Sequence, residues 1–522
     1  MKFDSLDNIV KNRNKKLYLL SILIGICTGF VVVGYRLSLT AMTNLRIDTF
    51  SKIASGNYRL LGITLIIFAL GAVLLNWIIK KHPMVRGSGI PQIRGILLMQ
   101  FEYNWIKELF FKFIGGVISV GSGLSLGRGG PSIQFGSKIA YGVRKIFKME
   151  NLNGKFLISS GVGAGLSAAF NSPLAGIMYT IEEIHKYITP VLLICVSLAS
   201  VSAEIVTRLI LGNKRLFNFC GIIPHNLNFF EDFFYIFIFA ILIGALGLIF
   251  TTQLLKFQNF YNEIKYPPLV KSLVIFAISI FLGIYFLDIQ GVGYKLIVKT
   301  TNEIFNFKII VILLIGKLLF TILSNAPGFP GGLFLPSLVI GALFGNLFGF
   351  GLEHLLDRGE DVHQYFMVLG MAGFFTAVMR TPLTGSILLL EMTGSFEYLT
   401  GLIFVTMISY IVAELLGVRG ITNILYDNLE KDKNIQRKEL TTKTTIFSSP
   451  VIGGSKLEGI TVMGLKLPSD ALLVKIQRGD YEIVPNGQTK LQSGDTLFIL
   501  TSEKQEKELK PIIYNLGTKP VE

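Results

Sequence analysis

Long apolar segments, separated by short polar ones, make up most of the chain between about residue 17 and residue 416. A helix needs about 20 apolar residues to cross the hydrocarbon core of a bilayer. The apolar runs lie near 17–37, 60–80, 110–126, 155–170, 188–212, 231–256, 268–287, 308–324, 333–352, 364–378 and 382–416. The pattern therefore predicts an all-α polytopic membrane protein that lies in the lipid bilayer.

The apolar runs are uneven in length, and several are too short to cross a bilayer. Glycine and proline interrupt many of them. Broken helices at membrane depth are tolerated where they line a cavity or a pore. The interruptions therefore favour a transporter or channel with tilted and broken helices over a simple helical bundle.

The character of the chain changes after about residue 432, where polar residues dominate. Alternating segments at Ala471–Ile476 and Thr496–Leu500, with turn signals at 485–487 and 493–495, predict short strands. We therefore expect a membrane domain at 1–431, a linker at 432–446 and a small cytoplasmic α/β domain at 447–522.

Composition and charge narrow the functional classes. Charged residues make up 16% of the 522 residues, against roughly 25% in soluble proteins, which argues against an ordinary cytosolic enzyme. The net charge of +15 fits the basic loops and ends of a membrane protein better than nucleic-acid binding. The three cysteines give no disulfide framework, and the five histidines are scattered without metal or nucleophile spacing. We therefore expect no enzyme, no resident cofactor and no metal.

The residues before the first apolar run are mainly basic, which predicts a cytoplasmic N-terminus in the plasma or inner membrane. A cleaved signal peptide is the competing interpretation. The length of the first run and the many later runs favour a retained first span.

An internal duplication is the most informative feature of the sequence. Three pairs of short segments recur in the same order at offsets of 205, 209 and 204: Gly127–Ile133 with Gly332–Leu338, Ser172–Gly176 with Thr381–Gly385, and Gly87–Gly89 with Gly291–Gly293. The alternative is that membrane proteins simply reuse glycine and proline. Nearly equal offsets favour two inverted repeats, at about 15–215 and 225–430, with substrate bound between them.

Two of the repeated segments, Gly127–Pro131 and Gly332–Pro336, have the form of loops that open into helices. Proline is favoured in a first helical turn, and glycine allows a ligand to approach the backbone closely. The free N–H groups and the positive dipole end at such a helix start attract anions. The Ser88 hydroxyl is a further candidate donor. The alternative is that these segments are only helix caps and kinks.

Four motifs resemble the CLC family of chloride channels and transporters. They are Gly87-Ser88-Gly89-Ile90-Pro91, Gly127-Arg128-Gly129-Gly130-Pro131, Phe170-Asn171-Ser172-Pro173-Leu174-Ala175-Gly176 and Gly332-Leu333-Phe334-Leu335-Pro336. The resemblance runs from about residue 15 to residue 430. It implies a homodimer with one pore in each subunit, an inverted repeat and cytoplasmic termini.

The resemblance also implies two chloride sites in each pore. The central chloride would be held by the Ser88 hydroxyl and by the backbone N–H groups of Leu333 and Phe334. The outer site would involve the backbone of a second set of residues: Arg128, Gly129, Gly130 and Leu335. Serine at position 88 is the residue seen in the chloride-selective members.

The sequence departs from the family pattern at the outer gate. The second motif usually carries a glutamate whose carboxylate competes with chloride and carries the proton in exchangers. Gly129 stands at that position, and glycine has no side chain to close a pore. We therefore expect an uncoupled, channel-like chloride conductor. The main alternative is a proton-coupled antiporter that uses another carboxylate or a water chain.

The inner gate of the family is usually a tyrosine near the last membrane helix. An ungapped alignment places Thr422 at that position, and a shift of four residues places Tyr426 there. Glu183 corresponds to the internal proton-transfer glutamate of the exchangers. A glutamate in an apolar helix is by default a functional hypothesis. The alternative for Glu183 is an ion pair or a hydration site near the cytoplasmic end.

Lys112 lies in the apolar span 110–126. It resembles a family lysine that adds positive potential near the pore. The alternative is a lysine at the end of a span whose ammonium group reaches the membrane surface.

The segment 447–515 resembles the C-terminal module of RCK (TrkA-C-like) regulators. Such modules dimerise and sense small ligands, in some cases cyclic di-AMP, so a small-molecule or nucleotide effector such as a cyclic dinucleotide is the candidate ligand. RCK modules usually serve potassium transport, and Gly291-Val292-Gly293-Tyr294 superficially resembles a potassium filter. Cation conduction is therefore the distant alternative, although this segment fits the internal repeat better.

Overall fold

The computed structural model is predominantly helical. It describes residues 3–98, 101, 104–149, 151–212, 217, 229–302, 305–356, 361–417, 419–431, 444–479 and 481–520. The chain forms two compact units. The first comprises Met1–Ile93, Asn104–Val143 and Leu157–Asn434, and the second comprises Arg94–Tyr103, Arg144–Phe156 and Ile435–Glu522. The expected linker lies outside the described residues except for positions 444–446.

Helices account for most of the described residues up to residue 431. In chain order they are α1 (Phe3–Ala54), α2 (Tyr58–Lys81), α3 (Ile90–Leu97), α4 (Trp105–Gly121), α5 (Gly129–Ile146), α6 (Asn151–Phe170), α7 (Pro173–Tyr179), α8 (Pro190–Leu211), α9 (Phe229–Glu263), α10 (Pro268–Tyr285), α11 (Tyr294–Asn302), α12 (Phe307–Asn325), α13 (Phe334–Leu356), α14 (Asp361–Met379), α15 (Pro382–Thr393), α16 (Leu399–Leu415) and α17 (Ile421–Lys431). Within the described residues, nine helices are long and apolar enough to cross a membrane. The prediction of an all-α polytopic membrane protein is confirmed.

The first helix is longer than the apolar run that predicted it. The run ends near residue 37, whereas α1 continues to Ala54. The additional turns bury Arg46, Phe50 and Ile53, which are three or four residues apart and therefore lie on one face of the helix. Packing of this face extends the helix beyond its apolar core.

Each of the helices α1–α8 has a counterpart eight helices later in the chain. The repeated motifs occupy the same place in both halves: α5 and α13 begin two residues after Gly127 and Gly332, and α7 and α15 begin at Pro173 and Pro382. The prediction that the glycine and proline segments open into helices is confirmed.

Four of the paired helices are too short to cross a bilayer: α3, α7, α11 and α15, with eight, seven, nine and twelve residues. The loops before α3 and α11 each contain two glycines in the left-handed region of φ. Gly87 and Gly89 have φ values of 59° and 89°, and Gly291 and Gly293 have values of 71° and 87°. Other residues are strained in this region, so the repeated glycines set the direction in which each short helix begins.

Glycines also allow the longer helices to cross at close range. Gly136 on α5 packs directly against the backbone carbonyl of Gly161 on α6, and Gly341 on α13 packs in the same way against Gly370 on α14. A side chain at any of these positions would overlap the facing backbone. Small residues at helix crossings are typical of membrane proteins.

In its described C-terminal part, 444–479 and 481–520, the second unit contains a four-stranded antiparallel sheet followed by a helix. The strands are β1 (Thr444–Pro450), β2 (Leu472–Arg478), β3 (Tyr481–Ile483) and β4 (Asp495–Ser502), in the spatial order β1-β4-β2-β3, and the helix is α18 (Glu503–Thr518). Both strands expected from the sequence are present. Alternate residues of β4, including Leu497 and Ile499, are fully buried in an apolar core with Ile476 and Ile513.

A buried ionic cluster lies on α18 within this second unit. The Glu506 carboxylate is 3.5 Å from the Lys155 ammonium and 3.2 Å from that of Lys510. Burial acts to raise the pKa of Glu506, but the two facing ammonium groups hold that pKa below its ordinary value. Since the folded pKa is depressed, this carboxylate stabilises the unit above the ordinary glutamate pKa, and the contribution is lost as the pH falls through the folded value.

Replacing Glu506 by glutamine is therefore expected to destabilise α18. The change leaves Lys155 and Lys510 close together without a counter-charge, a loss of roughly 1–3 kcal/mol. Hydrogen exchange of α18 in the purified full-length protein is the measurement, with Glu508→Gln on the exposed face of the same helix as the control. Equal exchange in both variants at neutral pH would contradict the stabilising role of the cluster.

Candidate anion-binding site

The first residues of α5 and α13 meet in the interior of the first unit. Gly127 N–H donates to the Gly332 carbonyl at 2.6 Å, and Gly332 N–H donates to the Gly127 carbonyl at 2.8 Å. The exchange is reciprocal, as a two-fold relation between the repeats requires. The first N–H groups of a helix have no partner within that helix. The positive ends of two helices therefore converge at one place.

The loop that carries Ser88 packs against the same junction. A Cβ atom at Gly130 would lie 2.8 Å from the Cβ atom of Ser88, so only glycine allows the two loops to approach this closely. Gly87 N–H donates to the Gly328 carbonyl at 2.9 Å, and Gly331 N–H donates to the Gly87 carbonyl at 3.1 Å. The structure thus brings the motifs around Ser88, Gly129 and Phe334 together.

Gly129, which stands at the position of the family's gate glutamate, lies against two aromatic rings. A Cβ atom at Gly129 would lie 3.0 Å from Phe170 Cε2 and 3.0 Å from Phe334 Cβ. These rings stack with their centroids 6.2 Å apart. The Arg128 guanidinium lies over the Phe170 ring, 5.8 Å from its centroid. At position 129 the chain therefore presents backbone and aromatic carbon, and no carboxylate.

Two buried lysines hold the glycine loops in equivalent ways. Lys112 donates to the carbonyls of Val85 and Gly87 at 2.9 and 2.7 Å, and it is fully buried. Lys317 is also fully buried and donates to the carbonyls of Ile289 and Gly291. Each lysine therefore fixes one glycine loop through two of its carbonyl groups. Sequence analysis overlooked Lys317, although its offset of 205 from Lys112 equals that of the motifs.

The potassium-filter resemblance fails on these contacts. Lys317 occupies the carbonyls of Ile289 and Gly291, and Gly291 N–H donates to the Gly123 carbonyl at 2.6 Å. A potassium filter needs rings of carbonyl oxygens that face the ion. The segment 291–294 instead serves as the counterpart of the Ser88 loop.

Two cavities approach the junction. The serine cavity, of about 530 Å³, is lined by residues that include Ser88, Leu333, Phe334 and Thr422. The arginine cavity, of about 470 Å³, is lined by residues that include Arg36, Arg46, Arg128 and Leu335. The residues predicted for the central site thus line one cavity, and Arg128 and Leu335 of the predicted outer site line the other.

Thr422 and Tyr426, the two candidates for the inner gate, have different surroundings. Thr422 lines the serine cavity, and its hydroxyl donates a hydrogen bond to the Glu183 carboxylate. Tyr426 is buried and is not among the residues that line this cavity. The structure therefore places Glu183 beside the cavity through Thr422.

Two further glutamates, Glu182 and Glu391, form hydrogen bonds between the two repeats. The Glu182 carboxylate accepts hydrogen bonds from the N–H groups of Leu383 and Thr384, at the start of α15. The Glu391 carboxylate accepts from Leu174 and Ala175, at the start of α7. Each repeat therefore supplies the anion that caps a helix of the other repeat. Glu182 and Glu391 are separated by the same offset of 209 as Ser172 and Thr381, but their partners are apparent only in the fold.

Comparison with known families accords with this geometry. The model of the family described as "Voltage gated chloride channel" matches residues 70–414, which is more than half of the chain. The chain belongs to the CLC family of chloride channels and transporters. A TrkA-C domain model matches residues 447–514, so this CLC protein carries a TrkA-C domain at its C-terminal end. The family consists of channels and transporters, not enzymes.

Curated relatives match most of this CLC chain. The H⁺/Cl⁻ exchange transporter ClcA of Vibrio cholerae serotype O1 is 30% identical over 431 residues, which cover 81% of this chain and 91% of that protein. The protein of the same name from Salmonella arizonae is 30% identical over 408 residues, which cover 76% and 85%.

Solved structures agree with the family assignment. A slow cyanobacterial Cl⁻/H⁺ antiporter superposes with a TM-score of 0.75 at 26% identity, covering 80% of this chain and 99% of that one. A CLC-type fluoride/proton antiporter superposes with a TM-score of 0.63 at 20% identity, covering 77% and 96%, and shows the fold alone. The prediction of an inverted-repeat membrane fold with a small C-terminal domain is confirmed.

Proposed function

We propose that this CLC protein conducts chloride across the membrane without strict coupling to protons. The observation that carries the proposal is Gly129 at the start of α5, where the family pattern has a glutamate. A glycine can neither occupy an anion site with a carboxylate nor carry a proton. The two helix starts that meet at this position then remain available to a chloride ion.

The chemistry around the junction suits an anion. Backbone N–H groups at the starts of α5 and α13, together with the Ser88 hydroxyl, are neutral donors. The charges of Lys112 and Lys317 add positive potential through carbonyls of the glycine loops. Binding by neutral donors is firm enough to admit an ion and weak enough to release it. The central chloride would lie by Ser88, Leu333 and Phe334.

The second candidate function is proton-coupled chloride exchange. The relatives named above are exchange transporters, and Glu183 lies beside the serine cavity. In this alternative Glu183 would take up the proton, and some group other than residue 129 would deliver it to the arginine cavity. Gly129 favours the uncoupled function because the usual second proton station is replaced.

Assembly, orientation and regulation are part of the same proposal. We expect a homodimer with one pore in each subunit, embedded in the plasma or inner membrane with both termini cytoplasmic. The basic N-terminal stretch supports the orientation. The TrkA-C domain supports control by a small cytoplasmic ligand, and a cyclic dinucleotide is the candidate.

The proposal predicts chloride efflux without proton movement. Purified protein is placed in chloride-loaded liposomes, valinomycin clamps the potential, and chloride efflux and external pH are recorded together. We expect efflux that leaves the pH unchanged, because no carboxylate at position 129 links the two ions.

Stoichiometric uphill proton movement during efflux would instead establish the exchange mechanism. Glu183→Gln is the informative variant in that case. It should abolish proton movement in an exchanger, whereas in an uncoupled conductor it should leave the pH trace flat, as in the wild type. Protein-free liposomes report the leak.

A further inference from the structure

Tyr179 is a buried tyrosine whose hydroxyl group has no hydrogen-bond partner among the residues that the structure describes. It is the last residue of α7, and none of its surface is exposed. Its hydroxyl makes no hydrogen bond to any residue that the structure describes. A buried polar group without a hydrogen bond is costly, so each one calls for an explanation.

The Tyr179 ring lies against the predicted chloride site. Its edge packs on Phe334, with the ring centroids 5.4 Å apart and an angle of 68°. Phe334 is the first residue of α13 and the predicted N–H donor to the central chloride. Phe334 also contacts Phe170 and Phe375. Tyr179 is therefore the member of this aromatic cluster (Phe170, Tyr179, Phe334 and Phe375) that carries a hydrogen-bond donor.

The hydroxyl of Thr422, the inner-gate candidate that lines the serine cavity, already donates a hydrogen bond. Thr422 has one hydroxyl proton, and it donates that proton to the Glu183 carboxylate. An ionised carboxylate only accepts hydrogen bonds, so Thr422 cannot donate to Glu183 and to an anion at the same time. Tyr179 has no such competing acceptor within the described residues.

We propose that the Tyr179 hydroxyl is a ligand of the transported anion at the start of α13. This inference rests on the proposed function. In the family pattern an inner-gate tyrosine supplies the hydroxyl, whereas here a residue of α7 supplies it. A phenol O–H is a directional, neutral donor. It favours chloride, a small and strong acceptor, over a large and weak acceptor such as thiocyanate. Tyr179 then contributes to anion selectivity.

The test compares Tyr179→Phe with Tyr35→Phe in the purified full-length protein. Tyr35 is also fully buried, and its hydroxyl likewise has no partner among the described residues, but its ring contacts Phe113 and Phe135. Neither variant loses a hydrogen bond within the described protein, so both should fold normally. Chloride affinity is measured by calorimetry, and the ratio of thiocyanate to chloride flux is measured in liposomes.

We expect Y179F to weaken chloride binding by about tenfold, as the loss of one hydrogen bond to an ion predicts. It should also raise the thiocyanate-to-chloride flux ratio, while Y35F changes neither quantity. Tyr179→His, which keeps an N–H donor, should retain more chloride affinity than Y179F. Folding of each variant is checked by its melting temperature.

Wild-type affinity and selectivity in Y179F would overturn this inference and leave the proposed function in place. Equal losses in Y179F and Y35F would also overturn it, because general packing would then explain both. A wild-type protein that neither binds nor moves chloride would overturn the proposed function itself, and the inference with it.

Discussion

Replacing Gly129 by glutamate is expected to reduce chloride flux about a hundredfold at neutral pH. The new carboxylate would lie at the start of α5, beside Phe334 at the start of α13. There it can accept charge-assisted hydrogen bonds from the N–H groups that we propose as chloride ligands. Bonds of this kind are worth roughly 1.5–3 kcal/mol each, so two of them suffice for a hundredfold competition. Flux from liposomes is the measurement.

Two further variants at Gly129 separate the effect of the carboxylate charge on chloride flux from the effect of side-chain volume. Any side chain must displace the rings of Phe170 and Phe334 by a few tenths of an ångström, and Gly129→Ala measures this steric effect alone. Gly129→Gln adds the length of glutamate without its charge. We expect only G129E to recover flux when the pH falls to about 4, near the ordinary glutamate pKa. Equal, pH-independent block in G129E and G129Q would show that bulk alone closes the pore.

The second large effect is expected at Lys112. Lys112→Met should weaken chloride binding about thirtyfold, because it removes a buried positive charge and releases the carbonyls of Val85 and Gly87. The Ser88 loop then loses its fixed position, and an electrostatic attraction of roughly 2 kcal/mol is lost. Lys317→Met should act in the same direction, since Lys317 makes the equivalent contacts.

Lys138 provides a matched control for these lysine variants. It is also buried, on α5, but its 2.9 Å hydrogen bond goes to the Glu108 carbonyl and not to a carbonyl of the glycine loops. Calorimetric titration of chloride into K138M should give an affinity close to that of the wild type. If K112M and K138M bound chloride equally well, the positioning role of Lys112 would have to be abandoned.

The sequence was most informative for features that depend on residues close together in the chain. Runs of apolar residues mark spans because each helix must satisfy its own backbone in lipid. Glycine and proline mark helix starts through their own backbone preferences, so the openings of α5 and α13 were predictable to within two residues. The end of α1 was not, because packing of Phe50 and Ile53 extends that helix beyond its apolar run.

Equivalent residues were visible in the sequence, but their partners were not. The offset near 205 related Gly127 to Gly332, yet their mutual hydrogen bonds depend on two segments more than two hundred residues apart. The exchange of Glu182 and Glu391 between repeats has the same origin. Sequence similarity identifies repeats, whereas the symmetry operation that relates them decides which atoms meet.

The sequence by itself determined that the chain is a CLC-type membrane protein with a small C-terminal domain, and that position 129 carries no carboxylate. These properties can be recognised from motifs of five to seven residues and from the identity of single side chains. Only the tertiary structure decided that Thr422 donates to Glu183, that Lys317 matches Lys112, and that the Tyr179 hydroxyl, beside Phe334, has no partner in the described part of the chain. Such contacts depend on how separate helices pack, and side chains distant along the chain meet only once that packing is complete.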